Sequence, residues 1–111
     1  MSFKPSTFAY VSFDASKAAD FSNDDIICSH NVSGITREGK GLFSITFTNA
    51  HSTGNYVSIA TAGSEDYSGS GASPRACGIY SRSATEVKVV VERTDDSVNE
   101  DNSYVNLIVL G

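Results

Sequence analysis

The sequence predicts an all-β protein, an antiparallel β-sandwich or a partly closed small β-barrel of about seven strands. One reason is alternation: Phe43, Ile45 and Phe47 interleave with Ser44, Thr46 and Thr48, the period-two pattern of a strand with one buried and one solvated face. A second is composition, 40% hydrophobic and 19% charged with Val, Ser, Thr, Tyr and Phe prominent, which suits pleated, half-buried surfaces better than helices. A third is length. The 111 residues can bury roughly two-thirds of their unfolded surface in one core and are too few for two ordinary domains. Residues 1–111 are therefore expected to form a single domain.

The first strand is expected at Phe8 to Phe13, FAYVSF, followed by a polar stretch to Asp25 in which the Ala-rich piece Ala15 to Ala19 has the length of one helical turn. A second strand is expected from Ile26 to about Thr36, with Gly34 inside it marking a bulge or a close approach of another backbone. Leu42 to Thr48 is the third. The Arg37-Glu38-Gly39-Lys40-Gly41 run before it supplies two glycines for a tight turn, so Asn31 to Thr48 reads as a β-hairpin. In a fourth strand, Asn55 to Thr61, Tyr56, Ser58 and Ala60 face one way and Val57, Ile59 and Thr61 the other. Ala62 to Pro74 is rich in Gly and Ser and reads as a flexible loop. Ala76 to Tyr80 is a short strand candidate, and Glu86 to Arg93 is a stronger one that sets Val87, Val89 and Val91 on one face. Thr94 to Asn102 is an acidic turn, and Tyr104 to Leu110 is the last strand.

Formal net charge is −5, so the summed field repels phosphate backbones and nucleic acid is not expected as a partner. Cys28 and Cys77 lack the close spacing of a zinc or redox motif and read as two buried thiols, a single disulfide being the lesser alternative. No stretch approaches the ~20 apolar residues of a membrane span, and MSFKPSTF lacks a signal-peptide apolar region. No membrane insertion is expected, and the chain should be made soluble in a cytoplasm. Asn31-Val32-Ser33 matches a glycosylation acceptor but reads as strand sequence without a secretion signal.

The last strand links sequence to assembly. It carries Val105, Leu107 and Val109 on one face and also Ile108 and Leu110 on the other, whereas a two-layer sandwich of this size should solvate its outer faces. Ile108, Leu110 and Val90 are therefore expected to form an oligomer interface. The competing expectation is that the chain's own N-terminal segment, with Phe3 and Phe8, covers them.

Five stretches carry a resemblance. Ala9-Tyr10-Val11-Ser12-Phe13-Asp14, Asn31 to Ile35, Gly39 to Ala50 and Asn55-Tyr56, with the apolar strand Tyr104 to Leu110, together resemble a β-rich module of the tail fibres of marine and other tailed bacteriophages. The chain departs from that pattern at Ala15, where Gly is usual, and in a longer insert from Ala15 to Asp25. The resemblance implies a virion component made in the host cytoplasm, an adhesin-like or structural module without a cofactor. It also implies a homo-oligomer, with a trimer favoured, that helps a phage contact its bacterial host.

No catalytic or metal site is expected. His30 and His51 lack a nucleophile-elbow or zinc context, and are expected on a strand face and in a turn respectively. Asp95-Asp96 and Glu100-Asp101 sit where a solvated turn is expected rather than across a sugar cleft, and their spacing does not match a helix-loop-helix calcium loop. Receptor contact, to a host surface polysaccharide, is expected from loops. Tyr67 is the aromatic candidate, Glu65, Asp66 and Ser68 the hydrogen-bonding groups beside it, and Arg75 and Arg82 the flanking cations that would meet an acidic glycan. The alternative function is a ring-forming small β-barrel that binds RNA or another ligand, which needs a basic patch joining Lys40, Arg75, Arg82, Lys88 and Arg93. A small-molecule enzyme is the third class, marked by a deep pocket holding a perturbed titratable group.

Overall fold

A computed structural model describes residues 6–64, 75–93 and 103–111. The alternating runs form eight strands: β1 (Thr7–Asp14), β2 (Ile26–His30), β3 (Val32–Gly39), β4 (Leu42–Phe47), β5 (Val57–Ser64), β6 (Arg75–Arg82), β7 (Glu86–Arg93) and β8 (Ser103–Leu110). They make two four-stranded sheets, ordered β2-β1-β8-β5 and β3-β4-β7-β6, in which every ladder is antiparallel. The sheets are not closed into a barrel. Of the two expected architectures, the β-sandwich is the one formed, with eight strands among the described residues where about seven were expected.

Period-two alternation explains the core. Ala9, Val11 and Phe13 of β1 and Val105, Leu107 and Val109 of β8 are buried, as are Phe43, Ile45 and Phe47 of β4 and Val87, Val89 and Val91 of β7. These central strands supply the two inner faces of one hydrophobic cluster. Fully burying a side chain of this size stabilises by about 1.5–3 kcal/mol each, an upper figure because the unfolded chain already buries some surface. β5 has the expected faces, with Ala60 and Ala62 packed on the core and Val57 and Ile59 in solvent.

The expected strand from Ile26 to Thr36 is in fact two strands in different sheets. Asn31 separates them at φ 55°, a left-handed conformation that asparagine tolerates better than most residues. Its side chain fixes the corner: Oδ1 accepts the Asn49 N–H at 2.9 Å, and Nδ2 donates to the Phe8 oxygen at 3.3 Å. Gly34 marks the expected bulge, but what comes close to it is a side chain rather than another backbone. The β3–β4 register shifts between Val32 and Gly34, and a Cβ there would come within 3.1 Å of Asn23 Nδ2, while Asn23 Oδ1 accepts the Ile35 N–H at 2.9 Å.

The Ala15 to Asp25 insert closes one end of the sandwich. It holds two short 3-10 turns, Ala18–Asp20 and Asn23–Asp25, so the expected helical turn is displaced toward its C-terminal half. Ser22 and Asp25 form a reciprocal cap on the second turn, and Lys17 Nζ lies 2.9 Å from the buried Asp25 carboxylate. Between them Phe21 packs edge-on against Phe13 and Phe43, with ring centroids 5.6 and 5.5 Å away.

The β3–β4 hairpin turns at Lys40-Gly41, with Gly41 at φ 70°. The Gly/Ser segment begins later than expected, since β5 runs on through Ser64, and β6 occupies Arg75–Arg82 rather than Ala76 to Tyr80. Residues 65–74 and residues 94–102, where the acidic turn is expected, lie outside the described residues.

Candidate functional site

The outward face of the β2-β1-β8-β5 sheet carries an apolar band that only the strand register reveals. Tyr10 pairs with His30 and with Ile108, and Ile108 pairs with Ile59, so one cross-strand row reads His30, Tyr10, Ile108, Ile59 across all four strands. Tyr10 is 40% exposed, Ile108 37% and Ile59 51%. Next to that row Leu110 pairs with Val57, which is 57% exposed. The row on the other side, Cys28, Ser12, Asn106 and Thr61, is polar, and Asn106 Nδ2 donates to Thr61 Oγ1 at 3.3 Å. The Tyr10 and His30 rings stack at 5.7 Å and 21°, flattening that edge of the band.

Ile108 and Leu110 thus lie where the sequence expects them. Val90 does not join them: it is half-buried on the opposite sheet, between its partners Leu42 and Gly78, because β7 belongs to the other layer. Phe8 does not cover the band either. It packs at one end of the sandwich against Phe47 and His51, at 5.1 and 4.8 Å, and Phe3 lies outside the described residues. Tyr10, Ile59 and Val57 escaped sequence reasoning because β1 alone shows one outward apolar residue and β5 two, and only pairing sets them beside Ile108.

The receptor candidates Glu65, Asp66, Tyr67 and Ser68 lie outside the described residues. Arg75 and Arg82 do not flank one region: they stand at opposite ends of β6, roughly 20 Å apart along an extended strand. Arg75 pairs with Arg93 at the end that borders residue 74, and Ser81 and Arg82 pair with Lys88 and Val87 near the other. Lys88 lies 3.8 Å from Glu86. Arg75, Arg93 and the turn residue Lys40 lie toward one end of the sheet and Arg82 and Lys88 toward the other, so the five cations of the alternative reading do not form one patch.

Arg82 belongs to a polar and aromatic cluster at the Phe8 end. Its Nη1 donates to the Tyr56 main-chain oxygen, and its guanidinium carbon sits 5.6 Å from the Tyr56 ring centre. The Tyr56 hydroxyl donates to Ser83 O at 2.8 Å. Burial pushes its phenol above the usual range, against the pull of the Arg82 charge. His51, buried in the turn after β4, accepts the Thr53 and Gly54 N–H groups on Nδ1 at 3.2 and 3.1 Å. That leaves Nε2 to carry the proton toward Gly111 O, 3.3 Å away. Each side-chain polar atom of His51 and Tyr56 thus has a main-chain partner. Such an arrangement clamps the β4–β5 loop, the β6–β7 turn and the end of β8 together.

Cys28 and Cys77 are unbonded and on different sheets. Cys77 is half-buried, and desolvation pushes its thiol up to about 11. Cys28 is exposed, against the expectation of burial, because it stands in the outward row beside Ser12, whereas Cys77 packs against the core. Among the described residues no three His, Cys, Asp or Glu side chains come together to hold a metal, and no helix is long and apolar enough to cross a membrane. No family model, curated protein or solved structure matches the chain.

Proposed function

We propose that this β-sandwich is a non-enzymatic virion module of the tail-fibre type, which self-associates and contacts glycans on a host surface. The observation that carries the assembly half is the outward band of Tyr10, Ile59, Ile108 and Val57. A lone sandwich gains nothing by presenting a contiguous apolar row on a sheet face, and burying it against a second copy removes it from water. The flat, closely stacked Tyr10 and His30 pair suits a face-to-face contact between copies. The fibre half rests on the sequence resemblance, and the committed hydrogen bonds of His51 and Tyr56 favour a structural over a catalytic role.

Light scattering on the purified protein at two salt concentrations tests the assembly. A trimer whose mass is insensitive to salt is expected, since an apolar contact is not screened. Ile108→Lys should reduce the mass to that of a monomer with a native circular dichroism spectrum. Val90→Thr, on the other sheet, should leave the mass unchanged. A monomeric wild-type protein overturns self-association.

A further inference from the structure

The register of β6 slips between Ile79 and Ser81: Ile79 pairs with Val89, and Ser81 with the next residue, Lys88. Tyr80 is the extra residue, and a bulge of this kind re-aims the side chains around it. Tyr80 stands 47% exposed. Beyond it, Arg82 pairs with Val87, whose side chain points into the core. The bulge therefore turns Arg82 inward, across the gap between the sheets, onto the ring and main-chain oxygen of Tyr56. Strict alternation from Ile79 would have pointed it the other way.

β5 and β6 are the edge strands of their sheets and no ladder joins them. Between them lies an open groove of about 340 Å³ lined by Ser58, Ile79, Tyr80, Ser81 and Arg82. Its chemistry is specific. Arg82 supplies one fixed cation, held by Tyr56 on one side; a guanidinium has five N–H donors, so the bond to Tyr56 leaves donors for a ligand. Ser58 and Ser81 add hydroxyls, and Tyr80 adds an exposed aromatic ring, which packs well on the C–H face of a sugar. A single cation matches the single charge of a carboxylate better than a phosphate dianion, and the volume sits at the small end of ligand clefts, room for about one sugar ring.

We propose that the β5–β6 groove binds a carboxylate-bearing sugar, a uronate-type unit of a surface polysaccharide, with Arg82 on the carboxylate, Tyr80 against the ring and Ser58 and Ser81 on hydroxyls. This rests on the adhesive reading above and moves it from the loop residues to the strand edge.

The test titrates ¹⁵N-labelled protein with trigalacturonic acid, and with maltotriose as the uncharged control. Saturable amide shifts at Ser58 and Ile79 through Arg82 with the uronate alone are expected. Tyr80→Ala, on an exposed side chain, and Arg82→Lys, which keeps the charge but not the fork, should each weaken binding roughly tenfold. Equal shifts with maltotriose overturn the carboxylate assignment, and a silent groove overturns the site. An array of immobilised bacterial capsular and lipopolysaccharide glycans separates the two levels. Array binding without groove shifts overturns the groove and keeps the adhesive reading, whereas no array binding together with a silent groove overturns both.

Discussion

The hydroxyl of Tyr56 reaches 2.8 Å to the main-chain oxygen of Ser83, a bond that ties the start of the β5 sheet to the β6–β7 turn of the other. Removing only that oxygen, in Tyr56→Phe, keeps the packing against Phe47 and His51. The expected loss is about 1 kcal/mol of stability, the net worth of one neutral hydrogen bond. Urea denaturation measures it; an unchanged midpoint would show that the bond contributes nothing across the seam.

Asn31 combines a left-handed backbone with a side chain bonded to Asn49 and Phe8, and two substitutions separate these contributions. Asn31→Gly keeps the conformation and loses the bonds; Asn31→Ala loses both. Each lost bond costs about 1 kcal/mol and a left-handed alanine roughly a further 1–2 kcal/mol. Thermal melts should therefore rank wild type above glycine above alanine. Equal melts for the two variants would mean that the backbone conformation is unstrained.

The Ser22 N–H and then the Lys17 ammonium hold the Asp25 carboxyl below its usual value of 3.8. Because the folded-state value is the lower one, this stabilisation is complete above the unfolded value and disappears as pH falls through the folded one. Lys17 is raised above 10.5 by Asp25, so its share is complete below that value and is lost as pH rises through the folded one. Denaturation midpoints of the wild type and Asp25→Asn, followed from neutral pH into acid, should converge in acid. A constant gap would remove the charge from the account.

The two cysteines should react apart. Cys28 is exposed, whereas Cys77 is half-buried with its thiol at about 11, and the thiolate is the reactive form. Brief iodoacetamide treatment near neutral pH should give a single adduct at Cys28 by peptide mass spectrometry, and two adducts after denaturation. Comparable labelling of Cys77 in the native protein would mean that β6 opens readily from the edge of its sheet.

Much of the fold is legible from alternation. β7 coincides with the expected Glu86–Arg93, and β4 stops one residue short of the expected Thr48. What alternation does not carry is any decision made by a single residue or by pairing. Asn31 looks like strand sequence, and only the contacts of its side chain to β1 and the β4–β5 loop make it a corner. Tyr80 looks like an ordinary outward residue, yet as the bulged position it reverses the direction of Arg82. His51 and Tyr56 stand apart in sequence from Ser83 and Gly111, which they bind, so no local motif announces the clamp. The outward band has the same origin: Ile108 was visible alone, its row partners only through register.

The place of β8 also governs how the molecule can be made. It follows the other seven described strands, yet it lies between β1 and β5 in the middle of its sheet. Its two neighbours are made well before it, since β5 ends at Ser64 and β8 begins only at Ser103. β1 and β5 must wait with open hydrogen-bonding edges, and their union with β8 carries the entropy of closing a very long loop. The vulnerable interval is the one before β8 pairs, when β1 and β5 on neighbouring chains expose the same unpaired edges and exchange of β8 between chains competes with correct folding.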